Sequence, residues 1–364
     1  MFFFGIEHEV AFLNSKGHFA DFSRTKFADF QQIIDQLPLY PNDELQLRVG
    51  DAGIRKKRWY IEGFERFDES GKVIDCAVKG IEIRTTIHND IQGAIDELTT
   101  SFQLLREMAA NFGFTPVLTS FNPYTSVFQP EPPLNEYEIK QLQSHPDENT
   151  ATIYMVTYGP DLNLSFADLS IEKLIDVGQK LTYYSPYIVP FSYSSPFSNG
   201  QLWEGLSVRT FIRTGRRSAT LVFVAEEKQL IKSVPSLTKV ARIPAEVGRI
   251  EFKAFDTCDD FRIYAALLAL LKGLILDETL SGRATIPDAN LHQISAKLGF
   301  EHEEIFTSAT QILNAVEIAL QDDPDRHLLQ PLKQMLTEGK TRSHELIKIF
   351  QNGSSIETTL RQTY

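Results

Sequence analysis

Polar and apolar residues alternate over residues 3–13, the period-two pattern of a strand with one buried face. Residues 57–67 and 72–87 read as two long strands joined by the turn Asp68-Glu69-Ser70-Gly71. Strand character also marks 114–119, 150–166 and 248–256. Helical spacing appears at 26–36, where Phe27, Phe30, Ile33 and Ile34 share a face, and at 90–112, opened by Asn89 or Asp90 and ended near Gly113. The pattern predicts further helices over 170–184 and 259–278, the latter so apolar that it reads as a buried core helix. Beyond 287 the pattern is all helical, with breaks at Gly299, 321–325, Gly339 and Asn352-Gly353. Two stretches lack a period, a long loop over 120–149 and an irregular segment from Pro186 to Arg217. Strands dominate the first 255 residues and helices the rest, so the expected class is α+β. We read one domain, with a sheet and packed helices over 1–286 and a helical cover over 287–364.

Composition narrows the function classes. The 364 residues are 42% apolar and 23% charged, an ordinary globular balance with ample core. A net charge of −12 argues against a nucleic-acid or anionic-membrane surface. The two cysteines, Cys76 and Cys258, provide no disulfide framework, and a reducing cytoplasm is the expected compartment. The apolar Met-Phe-Phe-Phe start reaches Glu7 too soon for a signal peptide, and Ala265 to Leu276 is too short to span a bilayer and contains Lys272.

The candidate chemistry lies in four short alternating segments: Gly5-Ile6-Glu7-His8-Glu9, Gly80-Ile81-Glu82-Ile83-Arg84, Asp161-Leu162-Asn163-Leu164-Ser165 and Arg249-Ile250-Glu251-Phe252-Lys253. Taken singly, each fits the wet face of an antiparallel sheet. If they share one sheet, Glu7, Glu9, Glu82, Asp161 and Glu251 crowd a single surface and need cations to offset their repulsion. Such oxygen ligands suit Mg2+ or Mn2+, with phosphates completing the shell. The stretch Ser195 to Arg209 adds glycines that permit close backbone approach to a ligand, and Arg209, whose fork can clasp a carboxylate or phosphate. Arg216 and Arg217 add positive charge beside the acidic face, while Arg213 is expected on a basic surface loop. Gly339-Lys340-Thr341 lacks the first glycine of a P-loop, and His302, His327 and His344 sit in polar helical surroundings that predict solvated side chains. Neither a zinc pattern nor a Gly-x-Ser-x-Gly elbow is present.

In order and spacing these segments resemble the glutamate–cysteine ligase family, in particular its small bacterial carboxylate–amine ligases and plant-type enzymes. Gly5 to Glu9 is similar to the family's opening acidic strand, Gly80 to Arg84 to a second, and Asp161 to Ser165 to a third. Ser194-Ser195-Pro196-Phe197 through Arg209 resembles an Asn-Ser-Pro-Phe stretch, and Asn352 to Ser355 a Gly-Gly-Ser near the family's C-terminus. The resemblance implies a glutamine-synthetase-like fold, a funnel of curved antiparallel sheet with helices outside. It also implies a ligase in which Mg-ATP phosphorylates the γ-carboxylate of glutamate and an amine, cysteine by default, displaces phosphate. By the same resemblance Glu7, Glu9, Glu82 and Glu251 become metal ligands. Arg209, Lys253 and Arg84 become catalytic cations, and Asn163, Ser165 and Arg217 nucleotide-binding residues. Asp161 stands where bacterial relatives carry a metal-binding His, and as a hard ligand it keeps the site competent. Lys253 stands where an Arg is common and cannot reproduce its bidentate clamp. Two alternatives stay open: a ligase for a different amine, and a nucleotide-binding relative without catalysis. A metal-free domain with a dispersed polar face is a third.

Overall fold

In β1 (Phe2–Leu13) every second side chain is buried, and Phe4, Ile6, His8 and Val10 turn to one side while Glu7 and Glu9 turn to the other. The computed structural model describes residues 1–41, 43, 58–144, 151–166 and 169–361. The expected strand starts at 57 and 150, and residues 145–149 of the predicted loop, lie outside the described residues.

The chain continues as α1 (Phe27–Gln36), the hairpin β2 (Trp59–Phe67) and β3 (Val73–Arg84), α2 (Ile91–Asn111) and β4 (Thr115–Val117). Asp68 Oδ1 accepts from the N–H groups of Ser70 and Lys72, and Gly71 takes φ +82°, so the predicted turn forms as its residues require. Asp90 caps α2 by accepting from Gly93 N–H at 2.7 Å. Next come α3 (Glu136–Ser144), α4 (Ala151–Tyr154), β5 (Pro160–Phe166) and α5 (Ile171–Ile188). The region 186–217 holds a small hairpin of β6 (Phe197–Ser198) and β7 (Gln201–Leu202), then α6 (Val208–Arg213). Three short strands follow, β8 (Thr220–Val224), β9 (Thr238–Val240) and β10 (Ile250–Phe252), and then α7 (Phe261–Leu276). The helical cover consists of α8 (Ala289–Leu298), α9 (Glu303–Ala319), α10 (Gln330–Glu338), α11 (Arg342–Gln351) and α12 (Ile356–Arg361). Its breaks fall where the sequence places them.

Among the described residues the main sheet has eight strands in the order β2-β3-β1-β5-β10-β8-β9, with β4 paired to the far end of β1. It is antiparallel apart from the β8–β9 pair and curls into a half-barrel. The outer face packs against α2, α5 and α7. In α7 every residue from Tyr264 to Leu274 is buried, and Lys272 is tolerated because Asp323 and Asp325 hold its ammonium at 2.8 and 2.6 Å. Gly273 lets α9 approach, since a Cβ there would fall 2.4 Å from Val316 Cγ1. No helix among the described residues is long and apolar enough to cross a membrane.

Several expectations are corrected. The loop 120–149 carries α3, and the strand expected from 150 begins only at Pro160, after the single turn α4. The helix predicted to stop at 184 runs on to Ile188 through Pro186. Pro186 cannot bond the Thr182 carbonyl, and Ser185 Oγ donates to it instead at 2.7 Å. The strand expected over 248–256 is three residues long, while β8 and β9 join the sheet without a periodic signal.

Candidate active site

The register brings the acidic positions together. Across β1 and β3, Glu9 stands opposite Glu82 and Glu7 opposite Arg84; across β1 and β5, Glu7 stands opposite Asp161; across β5 and β10, Asn163 stands opposite Glu251. Partners in an antiparallel pair share a face, so all five carboxylates of the sequence analysis lie on the concave side. They line one cavity of about 460 Å³.

The carboxylates form two groups. Glu7, Asp161 and Glu251 place oxygens within 4.8 Å of one another, and so do Glu9, Glu62 and Glu82. Glu62 was not recognised in the sequence. Its signal is the alternation Tyr60-Ile61-Glu62 in a strand already assigned, where it stands opposite Gly80.

Each group is met by the chain's own cations. Lys253 Nζ bonds both Asp161 and Glu251. Arg249 lies 3.0 Å from Glu7 and 3.0 Å from Glu251, with its guanidinium over the Phe223 ring. In the second group Lys79 Nζ lies 2.7 Å from Glu9, and Arg84 Nε donates to Glu82 at 2.7 Å while stacking on Tyr60. Tyr60 donates its hydroxyl to Glu62.

These neighbours set the charge states. Burial raises the Glu82 carboxyl far above the usual range, helped by Glu62, Glu7 and Glu9 and opposed by Arg84. Burial lifts Asp161 to about 6 against the pull of Lys253. Burial also presses Glu251 upward, but Lys253 and Arg249 outweigh it and hold it below the usual value. In the first group three carboxylates meet two cations, Lys253 and Arg249, so negative charge exceeds its compensation. The Glu7–Asp161–Glu251 group therefore fits a hard divalent ion in donor type and in need for positive charge. In the Glu9–Glu62–Glu82 group Lys79 meets Glu9 and Glu62 at 2.7 and 3.7 Å, and Arg84 meets Glu82.

The cavity is also lined by basic residues, Arg209, Arg213, Arg217, Lys239 and Arg242. Ser207 caps α6 by accepting from Thr210 N–H at 3.0 Å, and this short helix carries Arg209 and Arg213. Arg209 is buried; its Nη atoms donate to the Ala254 and Lys253 carbonyls at 3.2 and 2.9 Å, and its Nε lacks a partner. A Cβ on Gly159 would lie 2.2 Å from Arg209 Nη2, so any larger residue there would displace the guanidinium. Arg213 is not on a surface loop. It is buried on α6, donates to the Ser218 carbonyl at 3.2 Å, and is driven well below its usual pKa by burial and by Arg209 and Arg217. Arg216 is exposed and lies apart from the cavity lining.

Other candidates fall elsewhere. Arg84, paired with Glu82, lines a smaller adjoining depression rather than the main cavity. Asn163 and Ser165 line the same depression, of about 80 Å³. The glycines of the Ser195–Arg209 stretch do not line the cavity: Gly200 turns the β6–β7 hairpin at φ +76°, and Gly205 packs on Lys297 and Ala296. That stretch is pinned by Asp256, which accepts from Ser195 and Ser207 hydroxyls at 2.7 and 3.0 Å. Of the histidines expected to be solvated, His327 is exposed, but His302 and His344 are half-buried. His344 Nδ1 accepts from Thr341 N–H at 3.0 Å at the start of α11. Asn352 to Ser355 joins α11 to α12 away from the cavity lining.

No family model and no curated protein matches the sequence. The fold, in contrast, matches solved structures over the whole chain. It is similar to glutamate–cysteine ligase from Francisella tularensis, solved with AMP, at a TM-score of 0.56 and 12% identity, covering 87% of that chain. A bifunctional glutathione synthetase from Pasteurella multocida gives 0.59 at 12% identity, and this chain spans about half of it, 51%. The Pup ligase PafA, solved with Pup, gives 0.53 at 10% identity over 72% of its length. The expected α+β class and glutamine-synthetase-like architecture are thus found, at identities where the likeness speaks for fold alone.

Proposed function

We propose that this chain is a cytoplasmic, ATP- and Mg2+-dependent carboxylate–amine ligase, Mn2+ being able to replace Mg2+. L-glutamate is the carboxyl donor, and cysteine or another amine the acceptor. The carrying observation is a single cavity lined both by the Glu7–Asp161–Glu251 carboxylates and by Arg209, Arg213 and Arg217. A bound divalent ion and ATP would supply activation of the donor carboxylate as an acyl phosphate. Glu7, Asp161 and Glu251 would hold the ion. Lys253, which here bonds Asp161 and Glu251, would with the ion bound be free to face the anionic oxygens of a substrate. The arginines would bind phosphate or donor carboxylate, and the curved sheet would exclude water around the reacting groups. The likeness in fold to ligases that join carboxylates to amines supports this reading.

The test is Mg2+-dependent ADP release from ATP with glutamate, with and without a panel of amines including cysteine. Acceptor-stimulated release together with a γ-glutamyl product is the expected result. ATP binding without release for any amine would favour a second reading, a non-catalytic nucleotide-binding relative. The observation behind that alternative is that Lys253 and Arg249 already neutralise Glu251.

A further inference from the structure

The fold offers two groups of three carboxylates, and the two are not equivalent. We infer that Lys79 is a resident cation beside the cleft: it holds Glu9 and Glu62 while Arg84 holds Glu82, so a divalent ion binds only at Glu7–Asp161–Glu251. The inference rests on the metal-dependent reading above and concerns how many ions that site takes.

Lys79 lies at the bulged middle of β3 and is fully buried. An ammonium has three N–H donors, and three acceptors meet it: Glu9 Oε1 at 2.7 Å, the Thr157 carbonyl at 2.9 Å and the Tyr154 carbonyl at 3.2 Å. Glu62 adds a charge at 3.7 Å, and the Tyr154 ring centroid lies 3.7 Å from Nζ. The other oxygen of Glu9 accepts from Gly159 N–H at 2.8 Å. Arg84 supplies a second fixed charge to Glu82. Three carboxylates thus face two buried cations, and a divalent ion placed among them would stand beside like charge in a poorly hydrated site.

Lys253 is placed differently. Its side chain remains 18% exposed, and its ammonium is held by Asp161 and Glu251, without the main-chain carbonyls that anchor Lys79. An arriving ion would replace what Lys253 gives those carboxylates, and the ammonium has cavity to move into. Lys79 has no comparable exit, because leaving would strand the buried Thr157 carbonyl as well as Glu9 Oε1.

The experiment counts Mn2+ bound by the full chain without nucleotide, by electron paramagnetic resonance of the free ion. The wild type is expected to bind one ion. Glu251→Gln should weaken it at least about tenfold, whereas Glu62→Gln should leave it within about twofold. Lys79→Met should create a second site; should that variant not fold, the contrast between the Gln variants decides. Two ions in the wild type, or equal weakening by Glu62→Gln and Glu251→Gln, would overturn the role of Lys79 and leave the ligase reading standing. Absence of bound Mn2+ in the wild type would overturn the metal reading itself, and with it this inference.

Discussion

Glu251 and Phe252 are neighbours on β10, yet they belong to two different environments. Glu251 faces the cavity among two cations and two further acids, whereas Phe252 faces the helices, fully buried against Phe255. The same division separates Glu7 and Glu9 from His8, and Asp161 and Asn163 from Leu162. The convex face holds the fold by apolar burial; the concave face buries charge, which contributes little net stability. Side chains one residue apart should therefore respond to mutation in different observables.

The largest contrast is expected at β10. Glu251→Gln should lower turnover at least about 10³-fold, roughly 4 kcal/mol in barrier, with thermal unfolding little changed. The fold survives because Lys253 keeps Asp161 and Arg249 keeps Glu7 and Glu246. Phe252→Ala should instead cost about 3–5 kcal/mol in urea unfolding, through the cavity it leaves. Equal loss of stability in both would break the comparison.

His8 sharpens it further. Burial lowers its pKa to about 3, and the Tyr264 hydroxyl lies 3.0 Å from Nδ1. Below pH 6.5 the unfolded histidine takes up a proton that the folded one refuses until about pH 3, so stability falls as pH falls through that window. Between pH 7 and 4.5 this contributes a loss of about 2.5 kcal/mol, which His8→Gln should remove from the measured difference. An unchanged acid slope would show that His8 is not buried as a neutral ring. The smallest effect is expected at Ser165, which shares strand parity with Asp161 but lines the adjoining depression. Ser165→Ala should change turnover less than about twofold; a larger loss would extend the working site beyond the main cavity.

Much of this division was legible in the residues. Period-two alternation is local, so it identified β1, the β2–β3 hairpin and the acidic face of each strand. Apolar continuity identified α7, and glycine and capping residues marked the breaks in the C-terminal helices. Glu62 and Lys79 were not legible, because one follows the apolar run Trp59-Tyr60-Ile61 and the other lies in a bulge that reorients it. The short strands β8 and β9 were missed because they are held by neighbours rather than by their own pattern. Arg213 was misplaced because a polar, irregular stretch does not show that α6 turns it inward.

The sequence by itself determined which side chains share a face of each strand, since that follows from backbone geometry one residue at a time. Only the tertiary structure decided how strands far apart in the chain are registered, and so which carboxylates meet and which cation each receives. Register is set by long-range pairing and by the packing of the whole convex core, and a single strand carries no record of either.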